Sequence, residues 1–345
     1  MKTDLKDMTM KELTGWFEEA GEKSFRAGQV FKWMSRGVID FDEMTDLSKA
    51  LREKLKEDSV VGDLKTDTVR ESETDETKKF LFELNDGDHI ETVFMKYKYG
   101  NSVCVSSQAG CRMGCSFCAS TVNGLARDLT AGEMADQIIC VERYTGEKIG
   151  HVVVMGSGEP LENYEELSRF LEIIHDRRGL DIGMRNITVS TCGIVPGIEK
   201  IGNDFPQVNL AISLHAPDDG LRNEIMPINR KYDLKMLMKA CREHIEKTGR
   251  RITFEYVLIA GKNDSAEQIK RLAAMLKGMN CHVNLIPLNA VEEAGMHKTS
   301  RTAAADIEAF LQSRGIQATV RRELGSDIDA ACGQLRLRKN GRNTI

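Results

Sequence analysis

At 345 residues, 41% hydrophobic and 29% charged, the chain has the composition of a soluble globular protein too long for one compact core, so two domains are expected. A net charge of −5 excludes a globally basic nucleic-acid binder, so any RNA surface must be local. The polar start MKTDLKDMTM lacks the apolar run of a secretion signal, and no segment approaches the roughly eighteen apolar residues of a membrane span; a cytoplasmic protein is expected. In that reducing compartment nine cysteines point to metal binding or catalysis rather than to a disulfide framework, and their odd number agrees.

The chain opens with helices. Thr9-Met10-Lys11-Glu12 has the form of a capping box and starts a helix running to about Ala20. In SFRAGQVFKWMSRG a second helix puts Phe25, Val30, Phe31 and Met34 near one face, with Arg26, Lys32 and Arg36 among the polar positions, and SKALREKLKED forms a third. A small helical domain is expected over 1–60, its basic residues forming a solvated face or an RNA surface. Beyond Val60, KFLFEL and HIETVFMKY flank Asn85-Asp86-Gly87-Asp88 as a hairpin, an extension over 61–101 that leads into the main domain. Glu91 shares a face with Val93 and Met95, and the pattern alone slightly favours an edge position in water over a carboxylate kept inside.

From about residue 102 strands and helices alternate. The strand candidates are SVCVSS, HVVVM, RNITVST, VNLAISL, RRITFEYVL, HVNLIPL and QATVRREL. Thr130 with Glu133, and Asp264 with Glu267, have the spacing of helix N-terminal caps, and Ile269, Leu272 and Leu276 form the buried stripe of the latter helix. Repeated β-α units build a parallel sheet with right-handed crossovers. A closed barrel takes eight such units. About six precede Asn289, so an α/β fold with a partial (β/α)6 TIM-like barrel is expected over 102–290, followed over 291–345 by a helix, a strand, a loop and a basic tail.

In QAGCRMGCSFCAS, directly after the first of those strands, Cys111, Cys115 and Cys118 stand at C-x3-C-x2-C. Closely spaced thiolates let one loop wrap an iron–sulfur cube, and three ligands for four irons leave one iron open to a small molecule. Zinc is the alternative, but a closed zinc site needs a fourth ligand, and no second Cys or His pair follows at zinc spacing. Phe117 either shields the cluster or fills core. MGSGEPLENY puts Gly156 and Gly158 where backbones can approach closely, and Glu159 at the carboxyl end of a strand, where α/β sheets gather their sites. Ser190 and Thr191, Ser213 and His215, and Asn289 end later strands in the same way, on one rim above the cysteine loop.

C-x3-C-x2-C with an aromatic residue before the last cysteine resembles the radical S-adenosylmethionine (SAM) superfamily, in which the open iron chelates the methionyl group and SAM cleavage yields a 5′-deoxyadenosyl radical. The whole chain resembles the RlmN family, radical enzymes that methylate carbon 2 of an adenosine in 23S ribosomal RNA. The likeness runs through IETV, CVSSQAGCRMGCSFC, GEPLEN, STCGIVP, SLHAP, MPINRKY, VNLIPLN and GSDIDAACGQL.

That resemblance implies a [4Fe–4S] cluster on Cys111, Cys115 and Cys118, and SAM contacts at Gly158, Glu159, Ser190, Ser213, Leu214, His215 and Asn289, with two SAM molecules used per turnover. It implies that Cys332 is methylated and that its methyl group, turned into a radical, adds to the electron-poor ring carbon. Glu91 then accepts the ring proton, and Cys104 forms a transient disulfide with Cys332 that frees the product. From the residues alone, Cys332 is a loop thiol and Cys104 a buried strand cysteine. The implied partners are 23S rRNA, a tRNA adenosine beside the anticodon as a second substrate, and a reduced donor such as flavodoxin or ferredoxin. A monomer is expected. A related branch modifies carbon 8 of the same adenosine and confers antibiotic resistance; it carries Ala where Pro160 stands here, which favours carbon 2. Outside the enzymes, a metal-stabilised RNA-binding protein would leave Glu159, Ser190, Ser213 and Cys332 unexplained. Arg321, Arg322, Arg336, Arg338, Lys339 and Arg342 form a local basic cluster able to hold phosphates or else a solvated tail, the reading favoured for the last five residues.

Overall fold

In the computed structural model, which describes residues 2–289 and 295–330, the Thr9 hydroxyl accepts from the Glu12 amide and the Glu12 carboxylate accepts in return from the Thr9 amide. This box starts α1 (Met10–Glu19). α2 (Phe25–Met34) buries Ala27, Val30, Phe31 and Met34, whereas Phe25, expected beside them, is 56% exposed. At 3.6 residues per turn Phe25 falls opposite the arc those four share, so its ring turns to solvent. There Arg26 lies over it. α3 (Lys49–Asp58) is capped by Ser48.

Among the described residues one ten-stranded sheet follows, with its strands in chain order. β1 (Lys65–Glu71), β2 (Lys78–Glu83), β3 (His89–Tyr97) and β4 (Gly100–Val105) pair antiparallel. From β4 onward β5 (His151–Val154), β6 (Ile187–Thr191), β7 (Asn209–Ser213), β8 (Ile252–Leu258), β9 (Cys281–Pro287) and β10 (Gln317–Val320) add in parallel. All seven strand candidates from residue 102 onward are therefore strands. The connections carry α4 (Ala131–Thr145), α5 (Tyr164–His175), α6 (Val195–Asp204), α7 (Asp219–Ile225), α8 (Leu234–Thr248), α9 (Ala266–Leu276) and α10 (Arg301–Ser313). The sheet stays open, the partial barrel expected, with an antiparallel extension at one edge.

The Thr130–Glu133 box caps α4. At α9 the expectation fails by one residue: Ser265, immediately before the helix, accepts from the Gln268 amide. Asp264 instead accepts from the Gly261 amide and the Thr299 hydroxyl, pinning the preceding turn to the approach to α10.

One apolar cluster runs from Leu5, Leu13, Phe17 and Phe31 through Ile138 and Phe170 to Ile212 and Val283, so the N-terminal helices and the barrel share a core. Two polar contacts pin that junction. Lys6 and Asp136 form a buried ion pair, and Asp7 accepts from the Gly132 amide in the first turn of α4, where the helix dipole favours an anion. Among the described residues no helix is long and apolar enough to cross a membrane.

Candidate active site

After β4 the chain forms a short ribbon, Gln108–Gly110 against Leu125–Asp128, and the cysteine loop hangs between its arms. The Cys111 amide donates to the Gly124 carbonyl, closing the loop, and the Cys118 amide to the Cys115 carbonyl, turning it. The Ser116 amide donates to the carbonyl of Ile225, docking the loop on the end of α7. Cys111 and Cys115 are buried and Cys118 half-buried. Burial, aided by the neighbouring thiol of Cys118 and the Glu159 carboxylate, pushes the Cys111 thiol up to about 12, and burial raises Cys115 as well. Two thiols that resist ionisation by themselves, with Cys118 beside them, suit a cationic iron–sulfur group that supplies the missing charge.

All three cysteines line one cavity that is open to solvent. Its opposite wall is the rim of strand ends. Gly156 and Gly158 follow β5, and a Cβ at either would lie within 2.6–2.7 Å of Ser106, Ser107 or Gln108, so the two strand ends meet at backbone distance as expected. The Gln108 side-chain carbonyl accepts from the Glu159 amide. The buried Glu159 carboxylate accepts from the Leu161 and Cys192 amides, at 3.1 and 2.6 Å, and burial outweighs those bonds to raise its pKa. Each oxygen keeps lone-pair capacity for a ligand amine.

At the end of β7 His215 takes a left-handed backbone (φ 56°) and its Nδ1 accepts from the Val257 amide, so the ring is neutral with its proton on Nε2. Burial, then the Arg222 charge, lowers its pKa to about 3. Phe117 of the cysteine loop meets this ring at 4.7 Å and 75°, so it packs on the rim rather than only filling core. Arg222, which sequence reasoning passed over, is fully buried. It donates to the carbonyls of Cys192, Ser213 and Leu214 and to the Asn229 side chain, gathering the ends of β6 and β7. No apolar periodicity marks it; only its position between SLHAP and MPINRKY could have drawn attention.

Of the residues expected to contact SAM, Gly158, Glu159, Ser190, Ser213, His215 and Asn289 line this cavity. The Leu214 side chain is buried in the main core, and its amide donates to the Glu255 carbonyl. Glu255 also lines the cavity and was not foreseen; its carboxylate accepts from Asn284, and burial raises its pKa against the opposing charge of Arg321.

A second cavity adjoins the first and shares Met155, Ile286, Asn289 and Arg321 with it. Cys104, Val93 and Met95 stand on its wall. Glu91 is buried, not at a watery edge, and pairs with the buried Lys79 at 2.9 Å. The Lys79 ammonium also donates to the Asp329 carbonyl. Three further hydrogen bonds fasten the same C-terminal loop to the β1–β2 turn: the Ser72 hydroxyl and Glu73 amide donate to Asp327, and the Gly325 amide to Asp75. Ala330 thereby packs beside Val93, Met95 and Cys104. Cys332, Arg336, Arg338, Lys339 and Arg342 lie outside the described residues. No disulfide joins two of the described cysteines.

Residues 3–61 match the family described as ribosomal RNA large subunit methyltransferase N-terminal domain, and residues 105–273 the radical SAM superfamily. A protein of Lachnospira eligens named probable dual-specificity RNA methyltransferase RlmN is 52% identical over 335 residues, 97% of this chain and 96% of the relative. One of the same name from Caldanaerobacter subterraneus is 54% identical over 334 residues, 96% of this chain and 97% of the relative. The crystal structure of a radical SAM methyltransferase from Sphaerobacter thermophilus superposes with a TM-score of 0.92 at 46% identity, covering 96% of this chain and 99% of that one. An enzyme family replaces the non-catalytic alternative: the chain belongs to the RlmN family of radical SAM RNA methyltransferases.

Proposed function

We propose that this chain forms 2-methyladenosine in 23S ribosomal RNA, with a tRNA adenosine as second substrate, acting as a cytoplasmic monomer that takes electrons from a flavodoxin or ferredoxin. A second substrate fits the dual specificity in the relatives' names. The observation that carries the proposal is the meeting of two chemistries at one wall: the three thiols of the cysteine loop and the Glu159–His215 rim face one cavity, and Cys104 faces the next. Cys111, Cys115 and Cys118 would ligate three irons of a [4Fe–4S] cluster, with SAM lying along Gly158, Glu159, Ser190, Ser213, His215 and Asn289. When bound, the pair supplies a 5′-deoxyadenosyl radical, two SAM molecules being used per turnover. Cys332 would carry the methyl group to carbon 2, Glu91 take up the proton that leaves the ring, and Cys104 release the product. Neutral His215 offers an Nε2–H donor to the cavity, and Glu159 offers acceptor positions to an amine. Carbon 8 is the alternative outcome; Pro160, on the cavity wall, is the residue that favours carbon 2.

The test is anaerobic reconstitution with iron and sulfide, then incubation with reductant, SAM and protein-free 23S rRNA. The expected products are 5′-deoxyadenosine and 2-methyladenosine, resolved from 8-methyladenosine by mass spectrometry. 5′-Deoxyadenosine without methylated RNA would overturn the substrate assignment, and 8-methyladenosine the position.

A further inference from the structure

The turn between β3 and β4 carries an aromatic pair that the proposed chemistry does not use. Tyr97 and Tyr99 stack face to face, 4.9 Å apart and 8° from parallel, and His151 meets Tyr99 at 80°. Tyr97 stands on the wall of the cavity that holds Cys104. Tyr99 lies outward of it and is 66% exposed. Even with Tyr97 stacked on it and His151 beside it, Tyr99 presents most of its surface to solvent. The stack therefore runs from the wall of the reaction cavity into solvent.

Its surroundings carry positive charge. Lys98 and Arg322 are exposed, Arg322 lines the same cavity, and the Arg321 charge reaches the Tyr99 hydroxyl. Lys96, by contrast, is already engaged by Glu76 and Glu147. The turn is also anchored at both ends. Tyr97 pairs with Gly100 across a two-residue connection, and the Asn101 side chain donates to Glu147 and to the Lys148 carbonyl. A preformed surface loses little ordering entropy when it binds. An aromatic face flanked by cations fits one ligand chemistry: an unpaired nucleobase stacked on the ring, with phosphates on the neighbouring Lys and Arg.

We propose that Tyr99, backed by Tyr97, is the stacking platform for a base next to the target adenosine, with Lys98 and Arg322 holding its phosphates. This rests on the RNA methyltransferase proposal. An adenosine turned out of structured RNA loses a stacking neighbour. A platform at the cavity mouth would replace that contact for the adjoining nucleotide and hold the strand open while the target enters.

The test uses the reconstituted holoenzyme and a hairpin oligoribonucleotide with a loop adenosine beside 2-aminopurine, with protein-free 23S rRNA as a second probe. Wild type and Tyr99→Phe should bind alike and quench the 2-aminopurine. Tyr99→Ala should bind about 5- to 150-fold more weakly, the range expected for losing one base–aromatic stack, without quenching and with unchanged thermal unfolding. Undiminished affinity and quenching in Tyr99→Ala would overturn the platform alone. Equal losses in Tyr99→Phe and Tyr99→Ala would assign the contact to the hydroxyl and overturn stacking. If wild type binds neither RNA, the RNA methyltransferase proposal falls and the platform with it.

Discussion

Arg222 carries a guanidinium into the core and satisfies three carbonyls and an amide there, so the ends of β6 and β7 are held by donors that an apolar side chain could not supply. His215 shows the same logic in a titratable group. With its pKa lowered to about 3 against an ordinary value of 6.5, the unfolded chain binds the extra proton between those values. This contribution to stability is therefore complete above about pH 6.5 and is lost as pH falls, by up to about 1.4 kcal/mol per unit. His215→Asn should be less stable than wild type in urea at pH 7 and should lose less between pH 7 and pH 5; equal losses would contradict the assignment. The cysteine triplet and the rim carboxylate were legible because their spacing is local. Glu91 was not, because its partner lies across the sheet. Lys79 sits opposite Val93 and Glu91 opposite Leu81, so the two meet on the diagonal, a relation that exists only once the register is set.

The strand-to-helix connections do the positioning at the next scale. Gly158 has φ 107° and faces Ser107 and Gln108, so an added Cβ would have to displace the backbone that supports Glu159. Gly158→Ala should abolish SAM binding by isothermal titration while far-UV circular dichroism stays that of wild type; retained binding would show that the close approach is dispensable. Elements were legible wherever one face is apolar or a cap precedes a helix. β1 escaped because KTDTVRE lies at the sheet edge with only Val69 half-buried, so no alternation betrays it. The cap of α9 was misplaced because Asp264 and Ser265 are adjacent oxygen acceptors, and only the backbone decides which of them precedes the first helical turn.

At the scale of the whole molecule, the shared core bears on the two-domain expectation. Both tryptophans, Trp16 and Trp33, lie in the N-terminal helices, while circular dichroism reports every helix and strand. One continuous core should make the two signals fall together in a single urea transition, whereas an early loss of tryptophan fluorescence would reveal separate folding units. The packing of Leu13 and Phe17 into the same cluster as Ile138 and Phe170 is a long-range fact that composition does not encode. The fastening of the C-terminal loop to the β1–β2 turn has a temporal side. Ser72 and Asp327 are 255 positions apart, so nearly the whole chain must leave the ribosome before that contact can form. The barrel and its cysteine loop can be in place while the segment leading to Cys332 is still being translated. A polypeptide ending before Asp327 would keep the cysteine loop but lose the contacts that hold the C-terminal loop against the β1–β2 turn.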